Sequence, residues 1–223
     1  NAGLYQNMEG RVNERTLELQ KSHENSKLLN QIGQELISTL NFGEAFETLY
    51  KYVKEMMDSA SFSVRLLDES KNVINYAYII EHGKRYEPIE VSMDNDNNFS
   101  VVCVKKNIEI LINDHEKEYK KYVSELKVVA GEFTHSMIFC PLRKGDKVLG
   151  VISLQSFEKN AYSEYHLSIV RTLAHYTVIA LENSLQFERM EEEVRMRTLE
   201  VVKQKEEIEK TYEDAKHLSE IGR

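Results

Sequence analysis

The sequence is poor in the residues that mark disulfide-stabilised or membrane-spanning proteins. Of its 223 residues, two are cysteines, two are prolines and none is tryptophan. Two cysteines cannot form a disulfide framework, and they fit a reducing compartment. No run approaches the roughly 20 consecutive apolar residues that a helix needs to cross a bilayer. We therefore expect a cytoplasmic protein.

The chain also lacks an excess of positive charge. Its formal net charge is −8, which argues against nucleic acid or an anionic membrane surface as the main partner. Hydrophobic residues make up 41% of the sequence and charged residues 30%. Most of the charge lies in the two terminal segments, so the middle has the composition of a globular domain with a core.

Recognisable catalytic chemistry is missing as well. The seven histidines show no metal-ligand spacing, and the chain has neither a glycine-rich phosphate loop nor a nucleophile elbow. Cys140 lies inside a predicted strand, where a buried, inert thiol is expected. An enzyme acting through Cys103 is an alternative with little support, because Cys103 has no neighbouring catalytic partner. The sequence favours a protein that is not an enzyme and has no metal site; it names no cofactor.

What the chain does contain is a near repeat of its two ends. Residues 8–18 read MEGRVNERTLE and residues 190–200 read MEEEVRMRTLE, an offset of 182 (190 − 8). A second similarity, between residues 24–33 and 213–222, has an offset of 189 (213 − 24). The offsets differ by seven residues, one heptad, which keeps the same face inward in a coiled coil. The chain therefore reads as one module flanked by the connectors of a serial array.

The C-terminal connector carries two lines of residues at seven-residue spacing. The first is apolar: Leu173, Ala180, Phe187, Val194, Val201, Ile208 and Ala215. The second is largely polar: Tyr176, Asn183, Met190, Arg197, Gln204, Thr211 and Leu218. The N-terminal copy repeats the register with Val12 and Leu19 on the first line and Arg15 on the second. Two copies in one register favour a parallel dimer seam of marginal stability over a solvated single helix.

Between the connectors, helical and strand patterns alternate in an α+β order. Residues 4–38 predict one long helix or two in series, and Asn41 with Glu44 forms a capping box for the next helix. Alternating residues predict strands near 62–67, 73–80, 86–93 and 108–113, and Gly145-Asp146 predicts a hairpin between 136–143 and 148–157. Asn98 or Ser100 can cap a short helix that runs through Lys106, and a last helix begins after Ser163. Strands joined mainly by turns predict an antiparallel sheet.

Four segments of this middle region resemble the GAF domain family: ILIND at 110–114, SMIFCPL at 136–142, VLGVISLQ at 148–155 and LAHYTVIALEN at 173–183. The resemblance implies a six-stranded antiparallel sheet with helices packed on it, and long terminal helices that form a parallel dimer. It also implies a small-molecule pocket. Proteins of this layout are commonly bacterial sensors whose separate output domains include histidine kinases and nucleotide cyclases.

The resemblance further implies where a ligand would lie, namely between the sheet and the segment after the third strand. A helix that begins near Ser100 would offer free backbone N–H groups to an anion, and Asp114 could accept a hydrogen bond from a base. Residues 115–135 could form a lid. The alternative is that these residues are only caps, turns and core. The candidate ligand-binding residues are Asn98, Phe99, Ser100, Val101, Cys103, Asp114 and His135.

We thus predict a connector at 1–38, a GAF sensory domain at 39–185 and a coiled-coil connector at 186–223 that leads to the next module. The predicted function is a non-catalytic domain that binds a small molecule, dimerises and transmits the ligand state through its terminal helices. A cyclic nucleotide is one candidate ligand, although the sequence does not clearly meet the cyclic-nucleotide signature of the family. The alternative function is a dimerisation spacer with a vestigial pocket.

Overall fold

A computed structural model describes residues 23–125 and 131–221 together with Thr16, and of residues 212–221 only the backbone. The first helix, α1, is described over residues 23–38. Most of the predicted N-terminal connector, including Val12, Arg15 and Leu19, lies outside the described residues. Residues 126–130, which also lie outside the described residues, belong to the region that the sequence predicts as a lid.

Local capping signals set where two of the helices begin. Asn41 precedes the second helix, and its side chain accepts hydrogen bonds from the backbone N–H groups of Gly43 at 2.8 Å and Glu44 at 3.2 Å. Asn98 precedes the third helix in the same backbone conformation. Both residues cap as the sequence predicts, but the return hydrogen bond from Asn41 N to the Glu44 carboxylate, the second half of the predicted capping box, is not formed among the described residues. The helices after α1 are α2 (Phe42–Met56), α3 (Phe99–Lys106), α4 (His115–Glu118), a 3-10 turn (Tyr119–Lys121) and α5 (Glu164–Ile221).

The strands form one antiparallel sheet, which confirms the predicted fold class. Its order is β3-β2-β1-β7-β6-β5, and β4 pairs with β2 beside this path. The predicted hairpin at Gly145-Asp146 joins β6 to β7. The strands are β1 (Ser61–Asp68), β2 (Val73–Glu81), β3 (Lys84–Arg85), β4 (Glu90–Ser92), β5 (Ile110–Ile112), β6 (Ser136–Lys144) and β7 (Lys147–Ser156).

The sheet has seven strands rather than the predicted six, because the predicted strand at 86–93 is replaced by two short ones. Residues 86–89 between β3 and β4 are not in a strand. They include Pro88, which has no N–H to donate to a ladder. Both short strands pair with β2 at one edge of the sheet.

Both faces of the sheet are buried, each in its own hydrophobic cluster. Phe62 and Val64 of β1 point into the cluster that includes residues of α1, α2 and α5. The intervening residues, Ser63 and Arg65, are also buried, at 1% and 5% exposure. The second cluster contains α3, β5 and the ring of Tyr76. The predicted alternation is therefore right, but the polar face of β1 does not contact solvent.

The chain divides into two compact units, Asn1–Leu181 and Glu182–Arg223. The first contains the sheet and the helices packed on it. The described part of the second is entirely helical, because α5 runs for 58 residues from Glu164 to Ile221. Within the described residues, no helix combines the length and the apolar composition needed to cross a membrane.

Candidate functional site

The start of α3 lies against the second face of the sheet, where the sequence places the candidate site. Asn98 is buried, and its Oδ1 accepts hydrogen bonds from Ser100 N at 2.9 Å and Val101 N at 3.3 Å. Its Nδ2 donates to the hydroxyl of Tyr76 at 3.0 Å. The expectation that these backbone N–H groups are free for an anion is therefore wrong, since Asn98 already occupies both.

The structure adds Arg65 of β1 to this site, a residue that the sequence analysis passed over. Its guanidinium Nη1 donates to Ser100 Oγ, and both side chains are buried. The guanidinium carbon lies 4.1 Å from the ring centroid of Tyr76 and 5.1 Å from that of Phe139. Such contacts stabilise a desolvated cation by about 2 kcal/mol or more each. Arg65 thus sits in an aromatic cage beneath the first turn of α3.

The charge of Arg65 has no counter-ion among the described residues. Its Nε is buried without a hydrogen-bond partner. Burial lowers the pKa of the guanidinium, and no carboxylate contributes to the shift. Even a lowered arginine pKa leaves the group cationic near neutral pH. The site therefore holds one buried, incompletely satisfied positive charge.

A row of aromatic rings leads from Arg65 towards His115. Phe99 stacks on Phe139 at 5.7 Å and meets the edge of His115 at 5.3 Å. His115 in turn stacks on Phe133 at 4.7 Å. Phe99, which the sequence proposes as a ligand residue or as core, is half-buried and joins the two halves of the site.

His115 is a second buried polar residue that the sequence analysis did not select. Its Nδ1 lies 2.9 Å from the carbonyl oxygen of Thr134, so this nitrogen carries the proton. Burial lowers the pKa of the imidazole, which favours the neutral ring. Its Nε2 is then an acceptor, and it has no partner among the described residues.

Val101 and Cys103 lie on α3 with their side chains in the core. Both residues are fully buried. Burial raises the pKa of the Cys103 thiol and raises that of Cys140 to about 12. Both thiols are free and protonated near neutral pH. A thiol that cannot ionise is a poor nucleophile, so Cys103 acts as packing at the back of the site.

Asp114 is not joined to the start of α3. It immediately precedes α4, makes no side-chain cap, and has its carboxylate 2.9 Å from Lys117 Nζ and 3.2 Å from Lys159 Nζ. The Lys117 hydrogen bond is the main cause of its lowered pKa. No hydrogen bond connects Asp114 with Asn98, Ser100 or Arg65 in the described part of the chain.

His135 lies in the short segment that leads into β6. Its ring meets Phe133 at 5.4 Å, edge to face, and its Nδ1 is buried without a partner among the described residues. Its backbone N–H donates to Ser156 O at 2.9 Å. Phe133 therefore contacts both His115 and His135, and His135 lies at the end of the aromatic row that is farthest from Arg65.

The segment that carries Phe133 is tied to the sheet by Glu81. This carboxylate, at the end of β2, is buried and accepts a hydrogen bond from Glu132 N at 3.0 Å. Gly131 adopts a left-handed conformation (φ +77°), and a Cβ there would overlap the Glu81 carboxylate. The predicted lid thus has a defined anchor at its C-terminal end.

An open cleft of about 580 Å³ lies elsewhere, where α2 leads into β1. Asp58, Ser59 and His82 contribute to its wall, and it contains none of the predicted ligand residues. We favour as the candidate site the face of the sheet that α3 covers, here called the α3 face, because Arg65 without a counter-ion and the unpartnered Nε2 of His115 lie there. Across residues 16, 23–125 and 131–221, no group of three His, Cys, Asp or Glu side chains could hold a metal ion.

Comparison with known proteins identifies the fold. The GAF domain family matches residues 39–182. The formate hydrogenlyase transcriptional activator of Escherichia coli K12 is 25% identical over 174 residues, which are 76% of this chain and 25% of that protein. The corresponding activator of Salmonella typhimurium gives the same identity and coverage. The chain thus spans about a quarter of the length of these curated relatives.

Solved structures show the same fold at lower identity. The GAF domain of an Acinetobacter phosphoenolpyruvate-protein phosphotransferase has a TM-score of 0.59 at 17% identity, covering 71% of this chain and 93% of that one. The free methionine-R-sulfoxide reductase of Neisseria meningitidis, in complex with its substrate, has a TM-score of 0.60 at 14% identity, covering 71% and 89%. At these identities the likeness concerns the fold alone.

Proposed function

Since this chain belongs to the GAF domain family, we propose that it is a non-catalytic regulatory domain that binds a small molecule. In this proposal the domain passes the ligand state through its terminal helices to an output domain of the same polypeptide. The relatives that are transcriptional activators support a regulatory role. They extend far beyond the matched region, which leaves room for a separate output domain.

The observation that carries the ligand-binding part is the set of unsatisfied polar atoms on the α3 face. Arg65 Nε, His115 Nε2 and His135 Nδ1 are all buried without partners in the described structure. The great majority of buried polar groups in folded proteins have a hydrogen-bond partner. A bound small molecule would supply the missing partners. A cyclic nucleotide is one candidate.

Two alternatives have some support. A spacer with a vestigial pocket is favoured by the direct contacts of Arg65 with Ser100 and of Phe99 with Phe139, which fill part of the site. An enzyme is suggested by the similarity to a sulfoxide reductase. We favour a non-catalytic role because both thiols are buried and their pKa values are raised.

Native mass spectrometry of the freshly purified full chain tests ligand binding. We expect a mass excess of a small molecule that disappears on denaturation, and thermal stabilisation when that molecule is added back. A protein that carries nothing, and that no member of a chemically diverse metabolite library stabilises, is a spacer rather than a sensor.

We further propose that the domain is a parallel homodimer whose seam runs along α5. The first heptad line continues through Phe187, Val194, Val201 and Ile208, and all four side chains are exposed in the single chain. On the second line, Arg197 is engaged by Glu193 of its own helix at 2.7 Å. One apolar and one polar line fit a seam of modest stability, which a ligand-binding difference of a few kcal/mol can shift.

Two adjacent valines provide a matched test of this seam. Val201 lies on the predicted line and Val202 beside it, and they are 63% and 49% exposed. Val201→Glu should weaken the dimer at least about tenfold, because it places like charges in the seam. Val202→Glu should leave the dissociation constant unchanged in sedimentation velocity. Equal effects of the two changes, or a monomeric wild-type chain, would exclude this seam.

The direction of the two helices has its own test. In a parallel coiled coil, the same second-line position of both helices faces itself. A Gln204→Cys variant should then form a disulfide between the two copies under mild oxidation, because Gln204 lies on that line. An antiparallel pair brings Gln204 opposite a different residue, so the absence of this cross-link in a dimeric variant contradicts the parallel arrangement.

A further inference from the structure

Arg65 is an unusual residue for a protein core. Its side chain leaves a central strand, is 5% exposed, and makes a single hydrogen bond, to Ser100, among the described residues. A buried charge without a counter-ion costs several kcal/mol of stability. The two aromatic contacts offset some of this cost, but they supply no counter-ion and leave Nε without a partner. Ligand binding would explain an arginine that lowers the stability of the ligand-free protein in this way.

The free donors of Arg65 indicate the geometry of the missing partner. All N–H bonds of a guanidinium lie in its plane, and Ser100 takes one of them at Nη1. Nε remains without a partner. The edge that contains Nε is one of those at which arginine binds a carboxylate through two parallel hydrogen bonds. A planar anion in the plane of the guanidinium would satisfy it.

The surroundings of Arg65 limit the charge of that anion. The N–H groups of Ser100 and Val101 donate to the Asn98 side chain. They are therefore not available to bind a phosphate at the start of α3. The imidazole of His115 donates through Nδ1 to Thr134 O. Its buried Nε2 is therefore a hydrogen-bond acceptor and not a donor. The Cys103 thiol is protonated and carries no charge. One positive charge in an otherwise neutral, aromatic environment matches a single negative charge.

We propose that the α3 face binds a small monocarboxylate, which the edge of the Arg65 guanidinium containing Nε anchors beside Ser100, Tyr76 and Phe139. This inference rests on the proposed ligand-binding function and names the chemical class of the ligand. A phosphate or a phosphodiester fits less well, because proteins usually meet these groups with several cations or with free backbone N–H groups.

The test measures binding and ligand-free stability separately. The full chain, in a buffer free of carboxylates, is titrated by calorimetry with sodium salts of straight-chain monocarboxylates of one to four carbons. Inorganic phosphate and cyclic AMP at matched ionic strength are the competing anions. We expect a monocarboxylate to bind and the competing anions not to bind. Any carboxylate that copurifies with the protein is added to the panel.

Two arginines form a matched pair for the variants. Arg85 also lies over a tyrosine ring, 4.9 Å from the centroid of Tyr78, but it is exposed and faces Glu47 at 3.5 Å. Arg65→Met should weaken carboxylate binding at least about tenfold, the effect of losing a charged hydrogen bond. Arg65→Lys keeps the positive charge but loses the two parallel N–H donors of the guanidinium edge, so it should also weaken carboxylate binding. Arg85→Met should leave the affinity unchanged.

Ligand-free stability separates a binding role from a structural one. If Arg65 serves to bind a ligand, its buried charge lowers the stability of the ligand-free protein. Arg65→Met should then keep or raise the urea midpoint in carboxylate-free buffer. A structural arginine would lower that midpoint when replaced. A lowered midpoint together with unchanged carboxylate binding overturns the inference.

The remaining outcomes distinguish this inference from the proposed function. Binding of phosphate, cyclic AMP or an uncharged molecule in preference to every carboxylate overturns the inference and leaves the sensing function intact. If no tested compound binds and nothing copurifies with the protein, both fail.

Discussion

Asn41 and Asn98 perform the same local task in different surroundings. Each accepts hydrogen bonds from the next helix, and their backbone angles are nearly equal, with φ near −114° and −111°. Asn41 is exposed, whereas Asn98 is 4% exposed and also holds the hydroxyl of Tyr76. The same residue type thus has a local role in one place and a tertiary role in the other.

This difference predicts unequal costs for the same substitution. Asn41→Ala should lower the free energy of unfolding by about 1 kcal/mol, the usual value of a cap. Asn98→Ala should cost about 1–3 kcal/mol more, because it leaves buried N–H groups and the Tyr76 hydroxyl without a partner. Urea denaturation followed by circular dichroism measures both. Similar losses would mean that water replaces Asn98 in its buried site.

The buried thiols make stability depend on pH in the alkaline range. Burial raises the pKa of Cys140 from 9.0 to about 12, and raises that of Cys103 as well. A raised pKa in the folded state favours the protonated form. Its contribution to stability is therefore complete below the unfolded pKa, near 9, and is lost as the pH rises from there towards the folded value.

We therefore expect the free energy of unfolding to be constant between pH 7 and 8 and to fall above pH 9. Each thiol contributes at most about 1.4 kcal/mol per pH unit. A Cys103→Ala/Cys140→Ala variant should show a shallower slope between pH 9 and 10, below the main titration of the tyrosines. A wild-type slope equal to that of the variant would show that the thiols are not the cause.

At the scale of elements, Gly150 determines how closely β1 and β7 approach. The pairing aligns Leu66 with Gly150, beside the irregularity between Val64 and Leu66 in the pairing of β1 with β2. A Cβ at Gly150 would overlap the backbone carbonyl oxygen of Arg65. The glycine therefore allows the strand that carries Arg65 to lie flush against its neighbour.

Gly150→Ala should destabilise the domain by roughly 1–3 kcal/mol, in the range of other overpacking substitutions. Glycine usually weakens a strand because it has no side chain to pack, so replacing it usually stabilises the strand. At Gly150 we expect the opposite. Lys147→Ala, at the exposed start of the same strand, is the control and should be nearly neutral. Thermal denaturation compares the two variants, and equal midpoints would show that β1 shifts at little cost.

Local backbone chemistry explains why the strand predicted at 86–93 is interrupted, whereas the predicted hairpin at Gly145-Asp146 is present. Gly145 adopts a left-handed conformation (φ +57°) between β6 and β7, as a tight turn requires. Residues 86–93 have a strand-like composition, but Pro88 leaves a gap in the ladder. Two backbone hydrogen bonds still hold this segment to β2, Tyr76 N to Ile89 O at 2.8 Å and Tyr86 N to Ile79 O at 3.0 Å.

At the scale of the whole molecule, the two connectors predicted from the sequence differ in length by one heptad. From the repeated arginine to the repeated glycine, the N-terminal connector spans 18 residues (33 − 15) and the C-terminal one 25 (222 − 197). A coiled coil keeps its register only in steps of seven. A flexible tether would tolerate any length, because closure entropy changes slowly with length.

Deletions in the full parent protein distinguish these two kinds of connector. Removing seven residues, Val202–Ile208, should preserve control of the output activity by the ligand. Removing four, Lys203–Glu206, should rotate the seam and lock or abolish the output. The measurement is output activity with and without ligand for each deletion. If both deletions behave alike, the connector is a tether and the repeat has no mechanical role.

The sequence by itself determined the features that depend on near neighbours in the chain. Asn41 and Asn98 cap the helices that follow them, Gly145-Asp146 turns the hairpin, and the alternation of Phe62 to Leu67 gives a strand with two distinct faces. Each of these rests on backbone geometry or on periodicity within a few residues. The segments at 110–114, 136–142, 148–155 and 173–183 then sufficed to identify the family.

Only the tertiary structure decided which polar residues meet on the α3 face. The alternation at 62–67 places Arg65 on the opposite side of the strand from Phe62 and Val64, but nothing in its sequence neighbours shows that α3 covers that side. Ser100 and His115 are 35 and 50 positions away from it, and Tyr76 and Phe139 belong to other strands. Burial and the lack of a counter-ion are properties of the folded surroundings, not of any stretch of sequence. The buried cation, and with it the class of ligand, could therefore be inferred only once those segments were packed together.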